Sequence, residues 1–362
     1  MTNSIFRLFC LAVLLSIFAA VSIKAQQVDS SFGTNGFVST NFTGVSSNGN
    51  NDDAAVKAFN LPGGKILVVA NHKHSAEGVG IFRTMRLVRY TNAGVPDGPP
   101  GNNSGTIAAR DAFIATNAAM QPDGKIVVVG YTFRLNFDLG DMWAIARYNQ
   151  DGTPDTTPSG QDWYVTRRFG DGIGLINDVK IQPDGKILVL GTSYSSANIM
   201  TTIVARYHSN AQPDLSFGPY GEGFFDLYDN GALSKSLVIQ PNGKLLLGGS
   251  RNPDALVASY NTNGTQDTTF GSDGYVRLAY GFSTTLNDFQ LQPDGKILAL
   301  TDTGFGGSSA LTRLHPNGSK DFSFTPNGAV LINTSAPVTP AMNNIMHPAG
   351  GFETTRSIIL RS

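Results

Sequence analysis

The chain has 362 residues, with 26 Lys and Arg against 27 Asp and Glu, 41 Gly, 18 Pro and one Cys. That near-balance lacks the concentrated positive charge of a nucleic-acid or membrane-surface binder. Glu occurs only at Glu77, Glu222 and Glu353, which leaves long exposed helices without their usual residues and points to an all-β chain.

Met1 to Lys24 reads as a secretory signal: Arg7 near the start, an apolar stretch from Leu8 to Val21, and the small Ala25 before Gln26. The stretch is short for a membrane span and no stop-transfer run follows, so cleavage is expected after Ala25. The exported chain is then 26–362, a single domain in the periplasm or outside the cell, with no membrane insertion and no nucleic-acid partner. Its only thiol, Cys10, leaves with the signal, so the core alone must hold the fold.

Residues 28 to 42 open with Asp29-Ser30-Ser31-Phe32-Gly33, a turn with one aromatic plug, and then an outgoing strand from Phe37. The block returns at Asp214 to Gly218, Asp267 to Gly274 and Asp321 to Gly328. Two units stretch this connection with Pro, Gly and Asn, at Asp97 to Gly105 and Asp155 to Asp162, which predicts surface excursions.

A second block dominates the chain: Gln182-Pro183-Asp184-Gly185-Lys186-Ile187-Leu188-Val189-Leu190-Gly191. Pro183 suits the second position of a type I turn and Gly185 a positive φ, so a hairpin begins here. The unbroken apolar run after it predicts an inner strand covered on both faces. Copies stand at Leu61 to Ala70, Gln121 to Gly130, Gln240 to Gly248 and Gln292 to Leu300, with a worn sixth at His347 to Thr355. Their anchor positions 65, 125, 186, 244, 296 and 351 are 60, 61, 58, 52 and 55 residues apart, the period of propeller blades and similar arrays.

A third block is an apolar strand ending in Arg, often followed by Tyr: Arg89-Tyr90, Arg147-Tyr148, Arg206-Tyr207, Arg313-Leu314 and the final Arg361, with Ser259-Tyr260 in the fourth unit. Each unit thus supplies about four strands. The exported chain starts just after an Arg-Tyr strand would end and finishes on the Arg361 strand, so its two ends are complementary halves of one repeat. The expectation is a β-propeller of six four-stranded blades closed into a ring, which removes exposed sheet edges.

These three blocks in constant order resemble the delta-60 repeat family of secreted bacterial proteins, over essentially the whole exported chain. The resemblance implies a propeller-like β fold and brings no activity and no catalytic residues.

Candidate chemistry is sparse. Asp97, Asp155, Asp214, Asp267 and Asp321 recur at one place in five units, and Asn149 to Asp155 and Asn261 to Asp267 look like short calcium loops, with Asp151, Asp155, Asn263 and Asp267 as ligands. Against calcium, Asp and Asn cap their own turns, and each loop offers two or three such oxygens where calcium takes six to eight. Arg89, Arg147, Arg206, Arg313 and Arg361 would form a ring able to hold an anion. The competing role is to pair with a neighbouring turn and fix blade to blade. His72 and His74 share a strand face but lack a visible third metal ligand. Trp163, in a long connection, is an aromatic that could meet a partner. No nucleophile elbow, phosphate loop or zinc-protease motif is present, and no cofactor is expected. The leading functional expectation is a non-enzymatic binding or scaffolding surface for a protein or glycan of the cell envelope or exterior. The alternative is a propeller enzyme, a carbohydrate hydrolase or lyase or a lactonase, with carboxylates from several blades over the central channel.

Overall fold

The recurring turn is a tight one closed by its glycine. The amides of Gly124, Gly185, Gly243 and Gly295 donate to the carbonyls of Gln121, Gln182, Gln240 and Gln292 at 2.8–2.9 Å. Gly185 sits at φ +83°, a conformation that costs an L side chain energy and glycine nothing. Asp184 Oδ1 accepts the Lys186 amide at 3.1 Å and fixes the exit from the turn. The chain therefore reverses at the same place in each repeat.

These turns appear in a computed structural model that describes residues 29–40, 52–76, 80–99, 105–111, 113–132, 142–156, 164–167, 169, 174–195, 199–227, 233–251, 253–280, 283–303 and 308–332. The expected signal, Trp163, the sixth turn copy at His347 to Thr355 and Arg361 lie outside the described residues, as do parts of both stretched connections.

Among the described residues are five four-stranded antiparallel sheets, each running in chain order. The first holds β1 (Asp52–Asn60), β2 (Ile66–Ala76), β3 (Gly80–Tyr90) and β4 (Thr106–Asp111). The second holds β5 (Phe113–Met120), β6 (Ile126–Thr132), β7 (Met142–Tyr148) and β8 (Tyr164–Arg167). The third holds β9 (Gly174–Ile181), β10 (Ile187–Tyr194), β11 (Met200–Tyr207) and β12 (Phe224–Leu227). The fourth holds β13 (Ser236–Ile239), β14 (Leu245–Arg251), β15 (Asp254–Tyr260) and β16 (Tyr275–Leu278), and the fifth β17 (Thr285–Leu291), β18 (Ile297–Asp302), β19 (Ser309–Leu314) and β20 (Ala329–Ile332).

The second strand of each sheet is the one that the apolar run predicts. Ile187, Leu188, Val189 and Leu190 of β10 are wholly buried, although their side chains point alternately to opposite faces. Ile187 and Val189 meet Val127, Val129 and Trp143 of the second sheet, while Leu188 and Leu190 meet Leu237, Leu245 and Leu247 of the fourth. The same alternation continues from the first sheet to the second and from the fourth to the fifth. The second, third and fourth sheets are thus each sandwiched by their neighbours in the sequence. The first strands β1, β5, β9, β13 and β17 also meet one another in that order, so they form the inner edge of the stack.

Four of these first strands are bulged. Val56, Thr116, Asn177 and Asn287 are each skipped in the pairing with the second strand. A bulge bends the strand and brings its backbone down on the partner strand, which explains the glycine that ends the apolar run in the second and third sheets, Gly130 and Gly191. A Cβ on Gly191 would stand 2.1 Å from the Leu175 carbonyl oxygen and 2.6 Å from the Trp143 ring. Gly191→Ala is therefore expected to destabilise the chain by about 1–3 kcal/mol through overpacking, read as a lowered urea midpoint at unchanged slope.

Candidate functional site

The ends of the sheets are chemically unequal. The first and third strands both run into turns at one end, so the repeated turns gather there. In the third sheet Arg206 Nε donates to Asp214 Oδ2 at 2.8 Å, and its Nη1 reaches the Thr262 carbonyl of the fourth sheet at 2.6 Å. Its guanidinium lies 4.4 Å from the centre of the buried Phe217 ring. Arg147 pairs with Asp155 at 2.7 Å and donates to the Ser209 carbonyl of the next sheet, and Arg89 pairs with Asp97 at 2.7 Å and reaches the Gln150 carbonyl at 3.4 Å. Arg313 pairs with Asp321 at 2.8 Å. Four of the five arginines expected to line an anion site thus have donors engaged by carboxylates, three of them also by the neighbouring sheet, and the fifth, Arg361, lies outside the described residues.

Where Ser259 replaces the arginine, the carboxylate is held by other means. Lys244 Nζ lies 2.8 Å from Asp267 Oδ2, and Ser259 Oγ donates to the same oxygen at 3.1 Å. Burial alone would push the Asp267 carboxyl up, but Lys244, Thr269 and Ser259 outweigh it and bring it down to about 2. Asp155 and Asp214 behave alike: burial raises them, and their Lys, Arg and Ser partners leave them below the usual carboxylate range. Hydrogen bonds from Lys65 and from Ser323 lower Asp97 and Asp321.

The calcium candidates are occupied in the same sense. Asp151 Oδ1 accepts the Thr153 amide at 2.9 Å and its hydroxyl at 2.6 Å, and Asn263 Oδ1 accepts the Thr265 amide and hydroxyl at 3.1 and 2.8 Å. Asp155 and Asp267 face lysines. Among the described residues no group of three or more His, Cys, Asp or Glu is placed to hold a metal ion. His72 is buried with Nδ1 2.6 Å from Asp53 Oδ1, and the side chain of His74 lies outside the described residues.

The opposite end carries the arrangement that sequence reading missed. The bulge residues Thr116 and Asn177 come from successive first strands, and Lys235 stands at the same place ahead of β13. With Ser234 and Ser250 they line a cavity of about 520 Å³ where four sheets converge. Asn177 Nδ2 donates to the Ser234 carbonyl at 2.8 Å and Ser250 Oγ accepts the Leu286 amide at 2.7 Å, so these side chains are set by backbone of the next sheet. Lys235 is exposed and makes no ion pair among the described residues. Beside the cavity, the buried Asp178 ties three first strands together: it accepts from Asn117 Nδ2 at 3.2 Å and from the Leu237 amide at 3.0 Å. A signal for the ring does exist in the sequence. Val56, Thr116, Asn177, Lys235 and Asn287 each stand five residues before the residue that precedes the turn proline, and four of the five are polar.

Residues 121–157, 182–217, 240–270 and 292–324 match the model of a family described as a domain of unknown function (DUF5122) beta-propeller. These four stretches are similar to the repeats of that β-propeller family, and the five four-stranded sheets are called blades from here on. No curated protein matches the chain in sequence. Among solved structures, puromycin hydrolase aligns at 11% identity and a TM-score of 0.40 over 80% of this chain, which spans only 39% of that protein. The soluble aldose sugar dehydrogenase of Escherichia coli aligns at 14% identity and 0.38 over 70% of this chain and 79% of that one. A GH43_1 enzyme from Xanthomonas citri aligns at 13% identity and 0.35 over 69% and 82%. At such TM-scores these likenesses decide no activity.

Two outcomes follow for the clipped end of the blades. Arg206→Ala removes the closest cation from the buried Asp214, leaving Lys186 at 4.0 Å and His208 at 3.8 Å, and is expected to cost about 3 kcal/mol in a urea titration. The carboxyls of Asp97, Asp155, Asp214, Asp267 and Asp321 ionise more easily folded than unfolded. Their contribution is therefore complete above the unfolded value of about 4 and is lost as pH falls through the folded values, towards 2 for Asp267. Urea midpoints should drop steeply between those limits, and Asp267→Asn should flatten that drop.

Proposed function

We propose that the chain is an exported, non-enzymatic propeller that presents a binding surface at the axial end opposite its repeated turns, with a glycan as the ligand class that fits best. In this reading a sixth unit joins the five described blades and closes the ring. The observation that carries the binding site is the cluster around the bulge residues Thr116 and Asn177: amide, hydroxyl and ammonium groups from successive blades converge on one cavity of about 520 Å³. Amide and hydroxyl groups dispersed around an open cavity, with the Lys235 ammonium as a further donor, suit a polyhydroxylated ligand, whose own groups both donate and accept. The repeated end supports the assignment by contrast, because its charges join blade to blade. Among the described residues no helix is long and apolar enough to cross a membrane, and the N-terminal signal reading supplies export.

The enzyme alternative needs a free pair of carboxylates at the axis. The one that stands beside the cavity, Asp178, already accepts from Asn117, Leu237 and Lys180. It therefore serves as a joint between first strands in this reading. The test is titration calorimetry of the exported chain against a panel of soluble polysaccharides. One glycan class should bind, and Asn177→Ala or Lys235→Ala should weaken it about tenfold each, the worth of one hydrogen bond of about 1–1.5 kcal/mol. A flat panel would remove the glycan reading and leave a protein partner.

A further inference from the structure

Two junctions between blades are closed, next to the fourth strands, by an aromatic ring beneath a cation. Phe169 stands five residues after Tyr164, the first residue of β8, and is buried in one cluster with Ile203, Ala205 and Tyr207 of the third blade. Its ring centre lies 4.7 Å from that of Trp143 and 5.0 Å from that of Phe224, and the Arg167 guanidinium is 4.9 Å from it. Tyr280 stands five residues after Tyr275, the first residue of β16. Its hydroxyl is 2.7 Å from Thr312 Oγ1 of the fifth blade, and Lys320 Nζ lies 5.6 Å from its ring centre. The chain thus supplies the same kind of plug to the second–third and the fourth–fifth junctions.

The third–fourth junction has a corresponding surface with a cavity on it. Phe224 pairs with Ala205 as Tyr275 pairs with Ala258, so Ile203, Ala205, Tyr207 and Phe224 correspond to Leu256, Ala258, Tyr260 and Tyr275. The latter four line a cavity of about 390 Å³. Ile203, and Ala310 at the same place in the fifth blade, are buried, whereas Leu256 is half-buried. Where the flanking blades carry Phe169 and Tyr280, five residues after Phe224, the sequence has Asp229, which lies outside the described residues.

One end of this cavity is charged. Arg251 and Asp254 pair across the β14–β15 hairpin, Arg277 pairs with Leu256, and all three side chains line the cavity. Arg277 Nη1 is 3.5 Å from Asp254 Oδ2, and the Arg277 guanidinium is 5.8 Å from the centre of the Tyr275 ring. Arg251 is exposed, and its guanidinium makes no ion pair or hydrogen bond among the described residues. Asp254 therefore balances Arg277, and Arg251 remains as the surplus cation beside an apolar floor of Leu233, Leu256 and Ala258. An apolar floor with a guanidinium at its rim suits a ligand that is apolar at one end and a carboxylate at the other.

We propose that the third–fourth junction is a binding site for a small aromatic carboxylate, whose ring takes the place that Phe169 and Tyr280 fill in the flanking junctions and whose carboxylate is held by Arg251. The ring packs on Leu256 and Ala258 beside Tyr275, and Arg277 supplies the cation that Arg167 and Lys320 supply to the built-in rings. The site is separate from the proposed glycan site, because the two cavities share no lining residue. Either can fail without the other.

Titration calorimetry of the exported chain with naphthoate tests the assignment. One equivalent should bind, and naphthylmethanol, the same ring without the charge, should bind about tenfold more weakly or less, the worth of a hydrogen bond to a charged group. Arg251→Ala, at an exposed position, should abolish the preference for the acid, and Asp254→Asn, which removes the only negative charge lining the cavity, should strengthen it. Leu256→Trp supplies a ring from the chain itself, as Phe169 does, and should block naphthoate without lowering the melting temperature. A chain that binds no naphthoate would overturn the proposal. So would equal affinity for acid and alcohol, which would make the junction a plain apolar cleft, or acid binding that Arg251→Ala leaves unchanged.

Discussion

A strand that is apolar on both faces has to be covered twice, and the rest of the architecture follows from that requirement. Ile187 to Leu190 present two apolar faces, and each is buried against a different sheet. Burying four such side chains stabilises the fold by roughly 1.5–3 kcal/mol apiece, and the gain is available only if a sheet stands on either side. Repetition of that strand in every unit converts a local preference into a stack in which the cover for one sheet is the next sheet.

Polar contacts then set how the stacked sheets are rotated against one another. At one end the arginines of the first three blades are each anchored by their own carboxylate and reach a carbonyl in the next blade. At the other end Asp178 and the bulge residues tie first strand to first strand. The two sets differ in kind. Buried ion pairs leave little donor capacity for a ligand, whereas the bulged ends leave hydroxyl, amide and ammonium groups facing a cavity. Binding capacity is thus expected at the end where the repeat is loosest.

The sequence made the turn, the doubly covered strand and the four-strand unit legible because each follows from short-range rules: the proline φ, the positive φ of Gly185, and apolar runs without alternation. The Arg and Asp pairing was readable as a constant spacing of eight residues, though which oxygen and which neighbouring carbonyl each guanidinium would reach depends on the inter-blade distance. The axial cavity was not read. Its residues are marked only by polarity at one place before the turn, and a polar residue on a strand otherwise means solvent. It takes the bulge, a tertiary adjustment between two strands, to turn Asn177 towards the axis. Trp163 lies outside the described residues and adds nothing to the site.

Among the described residues the main contacts of each meander are with the ones before and after it, and the polar links between them recur at fixed places in the repeat. Duplicating or deleting a unit of about sixty residues would therefore add or remove a whole blade while leaving each remaining junction chemically unchanged. The number of sheets is thus open to change by recombination rather than by point substitution, and with it the number of side chains that the bulge position brings together.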